Sequence, residues 1–465
     1  MRNSLLYKVM VIMIAISVIP LTIVGIISVE DAKDIGYSSV DDTEKMGETI
    51  VNESVKGITD IISDNLIRLG TSIAENVVSF LREREKDALF VANLTENHLN
   101  DTSELENILV SFAESKTSQI WYNTYTTANP QEVKETIPMY TRIAVTDSYG
   151  KEVVKIINGT PTSDLKNVSQ PANTEYKKEE YFNRTRILND QEIYVSHVNT
   201  WYVSSDAARG GVPGTEWDNI PGIDVMKWGD IKFATPIYLG GDFKGIVVLS
   251  VDYRHLAEFT KHINPTSEIR EVTTSYDKNN YILFFDDEGN TIVHPKPNNI
   301  RGYLPDGTLE HTNTIATPDG IFNLYDYDKS PEYREMYNAS VVRHEPYVTS
   351  SVNVAGKSKM TVTVPVPYDK GEYEQAGVFG GLMLSIDSSL YYETSNDIRD
   401  LIDEQTNETV DKIKTRTENI SSENVILLSL IIVVVISIVA SIFLSRLVTK
   451  PLTSSKEATK RIDDE

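Results

Sequence analysis

The residue types that catalyse reactions or bind metals occur in this chain, but their spacing matches no catalytic or metal-binding motif. The seven histidines form neither an H-E-x-x-H pattern nor an i,i+4 pair that would hold zinc on one helix face. Cysteine is absent, which excludes disulfides, thiol catalysis and Cys-ligated metals. No Walker loop, G-x-G-x-x-G or G-x-S-x-G motif occurs. We therefore expect no catalytic residue, no metal and no cofactor, and we expect that the chain is not an enzyme.

Aromatic residues are the better candidates for binding chemistry. Residues 200–230 read TWYVSSDAARGGVPGTEWDNIPGIDVMKWGD and hold three of the four tryptophans. Such a long loop, with Trp but few aliphatic residues, is either a lid over a ligand or a packed surface loop. Tyr and Trp side chains can wall a pocket for a small polar molecule. The candidates here are Trp201, Tyr202 and Trp228.

An internal repeat provides the framework for these residues. Residues 143–156 (IAVTDSYGKEVVKI) and 282–295 (ILFFDDEGNTIVHP) each read as strand, D-x-x-G turn and strand. In such a turn Asp bonds its own backbone and Gly takes a positive φ. Residues 232–256 and 360–390 repeat a second pattern, in which a strand ends at Pro and a Gly-rich turn leads to an apolar strand ending in Asp. The sequence thus predicts two tandem units of α+β class, each with an antiparallel sheet and few helices.

Long helices flank the two units. Between residues 31 and 100, apolar residues recur from Val51 to Phe80 at an average step of about 3.6, the period of a straight helix. This pattern predicts either a long stalk helix or a core helix of an ordinary domain. Residues 395–423 read as a second helix, with Ile398 and Val410 on its apolar side.

Two apolar segments predict membrane helices. Residues 9–29 and 425–444 contain no charged residue, and each is long enough to cross a bilayer as a helix. The first could instead be a signal peptide, but its apolar run is longer than usual for one. Positive charge precedes the first segment and follows the second, so the positive-inside rule places residues 1–8 in the cytoplasm and 30–424 outside.

The overall composition agrees with an exported domain. The net charge is −24, which disfavours nucleic-acid binding and is typical of a solvated surface. A large exported domain without cysteine is more common in prokaryotes than among secreted animal proteins. We therefore expect a multi-pass protein of a bacterial or archaeal cell membrane.

The order of these elements resembles the double-Cache sensor family, whose members have two tandem PAS-like units. The resemblance rests on the D-x-x-G hairpins, on the segment EEYFNRTRILNDQEIYVSHV (179–198) and on the two apolar strands that end in Asp. After the second apolar segment, Lys450-Pro451-Leu452 resembles the start of a HAMP linker. The resemblance implies these domains: a stalk helix (31–100), a membrane-distal unit (101–259), a membrane-proximal unit (280–394), a signalling helix (395–423) and the start of a HAMP linker (445–465).

The family also implies where a ligand would bind. In its amino-acid-binding branch, an R-x-W-Y-x-x-A motif holds the ligand carboxylate and a later Asp holds the ammonium group. Aligned on the aromatic pair, Tyr181 stands for the Trp, and Glu179 stands where the Arg is expected. Arg184 or Arg186 could replace that Arg, because an Arg fork is the usual partner of a carboxylate. Asp252 matches the later Asp, although a strand-end cap would explain it equally well.

These patterns predict a transmembrane receptor. A small solute would bind the distal unit, and residues 425–444 would relay the change to HAMP and to cytoplasmic signalling proteins. Chemotaxis output of the methyl-accepting type is the first expectation, and a homodimer is the expected state. The alternatives are the sensor half of a histidine kinase or nucleotide cyclase, and a surface adhesion protein anchored at both ends.

Overall fold

A computed structural model describes most of the segment between the two apolar stretches. The described residues are 32–124, 131–204, 225–260, 281–294, 299–304, 308–317, 320–354, 357–418 and the single positions 435, 438 and 439. The predicted membrane segments 9–29 and 425–444, apart from those three positions, lie outside the described residues, as do residues 1–8 and 445–465. Within the described residues, no helix combines the length and the apolar character needed to cross a membrane.

The chain divides into two compact units. One comprises residues 63–388, and the other combines residues 1–62 with 389–465. Helix α1 (Ala32–His98) confirms the predicted long N-terminal helix. In the second unit, the first part of α1 lies antiparallel to helix α6 (Ser389–Glu418), with Gly36 against Thr417 and Gly47 against Thr406. Glycine allows this close approach, since a Cβ at either position would meet the threonine side chain.

The first large sheet follows helix α2 (Thr102–Ser115) and a hairpin of β1 (Thr117–Thr124) and β2 (Gln131–Pro138). We call it the distal sheet. Its strands are all antiparallel, in the order β5-β4-β3-β9-β8-β6, with β7 also paired to β8. These strands are β3 (Tyr140–Thr146), β4 (Glu152–Ile157), β5 (Thr160–Pro161), β6 (Tyr194–Val195), β7 (Asn199–Ser204), β8 (Val225–Leu239) and β9 (Asp242–Asp252). Short helices α3 (Tyr181–Thr185) and α4 (Tyr253–Ala257) complete this part.

The second large sheet, which we call the proximal sheet, repeats the same layout. Its order is β11-β10-β14-β13-β12, again antiparallel. The strands are β10 (Tyr281–Asp286), β11 (Thr291–Val293), β12 (Tyr347–Val354), β13 (Lys357–Pro367) and β14 (Val378–Asp387), and helix α5 (Pro331–Tyr337) packs against them. In each sheet the last strand lies beside the first, so the two predicted units share one topology.

Matched turns confirm the repeat at the level of single residues. The carboxylate of Asp147 accepts the backbone N–H groups of Tyr149 and Lys151, both at 2.9 Å. Asp286 does the same for residues 288 and 290 at 3.0 and 2.7 Å. The last strands also match, because Gly245 (φ 153°) and Gly380 (φ 141°) each press against a carbonyl of the neighbouring first strand. The α+β class and the antiparallel sheets are confirmed.

Helix α1 packs along both sheets within residues 63–388. Gly70 lies against Leu384 and Val364 of the proximal sheet. Farther along α1, Asp87 accepts a hydrogen bond from the Tyr140 hydroxyl and forms an ion pair with Lys116 at 2.7 Å. Apolar residues of α1 are fully buried at these contacts, among them Val77, Leu81, Ala88 and Val91. Helix α1 therefore covers one face of each sheet, and the opposite face of each sheet is left to other parts of the molecule.

Candidate functional site

A row of polar side chains crosses the face of the distal sheet that helix α1 does not cover. Ser250 on β9 lies opposite Arg142 on β3 and also opposite Lys232 on β8. Directly paired residues of antiparallel strands point to the same face, so the three residues form one row, which we call the polar row. Asp230 is two residues before Lys232 on β8 and therefore shares this face. Asp230, Lys232 and Ser250 are all 0% exposed.

Lys232 is the centre of a compact charged group. Its Nζ atom lies 2.6 Å from Glu179 Oε1 and 2.7 Å from Asp230 Oδ1. The same atom lies 4.7 Å from the ring centroid of Tyr176 and 5.9 Å from that of Tyr181. Aromatic rings attract cations at such distances. Two carboxylates and two aromatic rings therefore surround one buried ammonium group.

The segment before helix α3 contributes Tyr176 and Glu179 to this charged group. The Tyr176 hydroxyl donates to the Asn199 carbonyl at 2.7 Å and to Asp230 Oδ1 at 3.1 Å, which fixes the segment against β7 and β8. The Glu179 backbone N–H donates to Thr174 Oγ1 at 3.2 Å. Helix α3 then packs Tyr181 and Phe182 onto the apolar part of the same sheet face, formed by Ala234, Ile246 and Val248.

Arg142 adds a second cation at the other end of the row. Its guanidinium forms an ion pair with Glu175, which belongs to the same segment before α3. Glu175, Glu179 and Asp230 thus face two cations, Lys232 and Arg142. We call these five residues the charged cluster. When all five are ionised, the cluster carries one negative charge in excess.

Three polar atoms of this face are buried without a hydrogen-bond partner among the described residues. They are Asp230 Oδ2, Arg142 Nε and Ser250 Oγ. More than nine in ten buried polar groups of native proteins are hydrogen-bonded, and a buried group left unpaired is costly. One acceptor, one donor and one hydroxyl, all on the same sheet face, can bind a small molecule that carries complementary polar groups.

Burial and the excess of carboxylates also change proton affinities in the cluster. Desolvation raises the pKa of Glu179 to about 7, and the neighbouring Asp230 and Glu175 add to this, although Lys232 opposes it. Desolvation alone would lower the pKa of Lys232, but the carboxylates of Asp230 and Glu179 outweigh it and hold that pKa above its ordinary value. Lys232 therefore stays charged, and Glu179 is the group that takes up a proton near neutral pH.

Not all of the site residues predicted from the sequence lie at the charged cluster. Tyr181 is buried and lies beside Lys232, within the site. Arg184 and Arg186 are exposed, and Arg184 lies 3.8 Å from Glu180. Asp252 accepts two hydrogen bonds from Arg254 Nε and one from its Nη2 atom, at 2.6 to 3.1 Å, and it caps helix α4. These contacts are those of a strand-end cap, the second explanation that the sequence leaves open for Asp252.

The two ends of the Trp-containing segment pair with each other as strands β7 and β8. Trp201 on β7 pairs with Trp228 on β8, and Tyr202 pairs with Lys227. The same ladder pairs Asn199 with Asp230, so it starts beside the charged cluster. The side chains of Trp201, Tyr202 and Trp228, and residues 205–224 as a whole, lie outside what the structure describes. Their role in binding stays a prediction.

Sequence reasoning missed the three residues of the polar row and Asp230. One pattern could have indicated two of them: Asp230 and Lys232 are charged residues two positions apart, next to the apolar residues Ile231, Phe233 and Ala234 of the same strand. Such alternation places both charges on one face. Ser250 and Arg142 carry no such pattern, because only the strand order brings them together.

Comparisons with known proteins give similar structures only. No protein-family model matches the chain, and no curated protein matches it. A domain assigned to a sensory box/GGDEF family protein of Vibrio parahaemolyticus is 14% identical with a TM-score of 0.42, and the match covers 71% of this chain and 97% of that domain. The ligand-binding domain of the Pseudomonas fluorescens chemoreceptor CtaA, in complex with L-leucine, is 12% identical with a TM-score of 0.37, covering 72% and 99%.

A third similar structure is the ligand-binding domain of PctB, an amino-acid chemoreceptor of Pseudomonas aeruginosa PAO1, in complex with L-Arg. It is 14% identical with a TM-score of 0.36, and the match covers 72% of this chain and 98% of that one. Two of these three similar structures are thus ligand-binding domains of chemoreceptors, and the other is a domain of a sensory box/GGDEF family protein.

Proposed function

We propose that this chain is a sensory receptor that binds a small polar solute at the polar row of the distal sheet. The observation that carries the proposal is the set of three buried, unpartnered polar atoms, Asp230 Oδ2, Arg142 Nε and Ser250 Oγ, beside the charged cluster. A chain that served only as an anchor or adhesin would gain nothing from such a set. A ligand that satisfies these atoms would recover part of their desolvation cost on binding.

The site has a short physical route to the proximal sheet. The backbone of Lys232 exchanges hydrogen bonds with Ser196, at 2.9 Å in each direction. The next residue, His197, contacts Asp287 of the proximal part at 2.9 Å. In addition, the ring of Tyr176 lies 5.2 Å from that of Tyr303, whose backbone N–H donates to Thr200 at 2.8 Å. A displacement of Lys232 or Tyr176 would therefore directly alter these contacts with the proximal part.

The relay would continue along the chain. Strand β14 ends at Asp387, and α6 begins at Ser389. We assign to α6 the role of the signalling helix, which leads towards the apolar segment 425–444 and the HAMP-like start at Lys450. In this proposal the receptor is embedded in the cell membrane through residues 9–29 and 425–444, and it acts as a homodimer. Its output is chemotaxis of the methyl-accepting type, through cytoplasmic partners.

A ligand screen on the purified full chain tests the proposal. We expect at least one metabolite of a broad library to raise the melting temperature, because a ligand that binds only the native state stabilises it by RT ln(1 + [L]/Kd). The shift should be lost in Asp230→Asn and kept in Thr361→Val, a substitution in the proximal sheet. If no metabolite stabilises the chain, or if both variants respond like the wild type, the proposed binding site is wrong.

A further inference from the structure

We propose that the polar row selects a cationic solute, with an ammonium or guanidinium group, over a zwitterionic or anionic solute of the same size. This inference rests on the proposed function, and it names the chemical class of the ligand. Its basis is the net charge of the charged cluster and the three buried polar atoms that lack a hydrogen-bond partner among the described residues.

The charge of the cluster favours a cation. Three carboxylates, those of Glu175, Glu179 and Asp230, face the two cations Lys232 and Arg142. The nearby Glu152 and Lys155 form a neutral pair of their own at 2.9 Å. A monocation would bring the buried charge to zero, whereas a zwitterion would leave the excess unchanged and an anion would double it. Uncompensated charge is costly in a buried site.

The unpartnered acceptor is a carboxylate oxygen of Asp230, an atom that a cationic ligand can bind. Asp230 Oδ1 already accepts hydrogen bonds from Lys232 Nζ at 2.7 Å and from the Tyr176 hydroxyl at 3.1 Å. The other oxygen, Oδ2, is buried and has no partner among the described residues. An ionised carboxylate oxygen can only accept, so it requires a donor. An ammonium or guanidinium group supplies a charged donor, which makes the strongest hydrogen bond to a carboxylate.

The other two unpartnered atoms restrict what else the ligand carries. Arg142 Nε can only donate, and Ser250 Oγ can donate or accept. An uncharged oxygen, such as a hydroxyl or a carbonyl, satisfies both without adding charge. A ligand carboxylate would also satisfy Arg142, but Arg142 is already paired with Glu175, so a second carboxylate there would meet a guanidinium that is already neutralised.

Protonation of Glu179 links cation binding to pH. The titratable groups around Glu179 come from several elements: Lys232 and Asp230 on β8, Arg142 on β3, Tyr194 on β6, Glu175, Tyr176 and Tyr181 on its own segment and helix α3, and Tyr303 from the proximal part. Because its pKa is raised to about 7, Glu179 is mostly protonated at pH 6 and mostly ionised at pH 8. The excess negative charge is therefore present at the higher pH. Affinity for a cation should rise by up to roughly tenfold between these two pH values.

Two matched sets of probes test the inference on the full chain by calorimetric titration. One set is 2-aminoethanol, glycine and glycolate, and the other is tyramine, tyrosine and 3-(4-hydroxyphenyl)propanoate. In at least one set we expect the amine to bind at least tenfold more tightly than the matched amino acid and acid, and Asp230→Asn to weaken the amine at least tenfold. Thr361→Val is the control that should leave binding unchanged.

The pH dependence is first measured on wild-type protein, so this part of the test does not depend on the folding of a variant. Affinity for the amine should rise from pH 6 to pH 8. In a second measurement, Glu179→Gln should bind the amine equally at both pH values. The inference is overturned if in neither set the amine binds more tightly than its matched amino acid and acid, which includes the result that none of the cations binds. In that case a library solute that still protects the distal sheet leaves the proposed function standing, and the complete absence of binding removes both.

Discussion

The distal and proximal sheets have the same strand order and the same turns, yet the polar side chains on their equivalent faces differ. In the distal sheet, Ser250 lies between Arg142 and Lys232, and its hydroxyl has no partner among the described residues. In the proximal sheet the equivalent Ser385 lies opposite Thr361, and the two hydroxyls hydrogen-bond to each other at 2.9 Å. The distal serine hydroxyl is therefore open to a further partner, whereas the equivalent proximal hydroxyl is satisfied by Thr361, and on that proximal face the Thr363 hydroxyl is the one without a partner among the described residues.

The residues around the two rows differ in the same way. Asp230 pairs with Asp252 in the distal ladder, and Lys359 holds the matching place opposite Asp387 in the proximal one. The proximal face is otherwise filled by an apolar core that includes Leu283, Phe285, Leu324, Met336 and Met383. The repeated scaffold thus specifies the fold of both sheets, whereas a few polar residues on the distal copy distinguish its face and form the proposed binding site.

The largest expected effect comes from removing the central cation of the distal row. Lys232→Met would leave Glu179 and Asp230 without their buried counter-ion, and breaking a buried ion pair on one side costs about 3–5 kcal/mol. The matched change Thr361→Val in the proximal sheet should cost about 1 kcal/mol, the value of one hydrogen bond. Chemical denaturation of the two variants measures both costs. Similar costs at the two positions would contradict the difference between the rows.

A pH titration of stability is the next test, and it concerns Glu179 of the charged cluster. Glu179, whose pKa is raised to about 7 from 4.5, holds a proton in the native state that the unfolded chain has already lost between those pH values. Because the native state then binds more protons, its contribution makes stability fall as the pH rises through this window. The loss is at most about 3 kcal/mol, at 1.36 kcal/mol for each unit of pKa shift.

Glu179→Gln should remove this part of the pH dependence. Asp286 of the proximal sheet, with its pKa raised to about 7 mainly by desolvation, contributes a slope of the same sign in both proteins. Only the difference between wild type and variant therefore reports Glu179. Denaturation at pH 5, 6, 7 and 8 measures it, and identical slopes for the two proteins would show that Glu179 is not the titrating group.

The smallest expected effect compares the two serines. Ser250→Ala removes a buried hydroxyl that lacks a partner, so stability should change by less than about 0.5 kcal/mol or rise slightly. Ser385→Ala leaves the Thr361 hydroxyl buried without its partner, which should cost about 1 kcal/mol or more. Melting curves of the two variants measure both changes in stability. A clear loss for Ser250→Ala would mean that its hydroxyl has a role within the folded protein itself.

Local sequence patterns were sufficient to predict the repeated scaffold. The D-x-x-G turns at Asp147 and Asp286 depend only on residues within the turn. The long helix α1 follows from its apolar period. Tyr181 was predicted from the aromatic pair of the family's motif, and it lies beside Lys232, although its role in binding stays a prediction. Each of these features depends on contacts between residues that are close together in the sequence.

The charged cluster could not be predicted in the same way, because it depends on the strand order. Glu179 looked unsuitable for the carboxylate-holding position that the family places there, and its true neighbour, Lys232, lies on a strand far along the chain. Arg142 reaches the same row only because β3 and β8 both pair with β9. Asp252, in contrast, fits the expected motif, but its carboxylate is bound by Arg254 two residues later.

The most direct test of the account is hydrogen exchange of the full chain with and without a stabilising solute from the ligand screen. If the solute binds at the polar row, protection should appear first in residues 174–185 and in strands β8 and β9, where the polar row and its covering segment lie. The proximal strands β10, β13 and β14 should change less. Protection centred on the proximal strands, with the distal ones unchanged, would contradict the assignment of the binding site to the distal sheet.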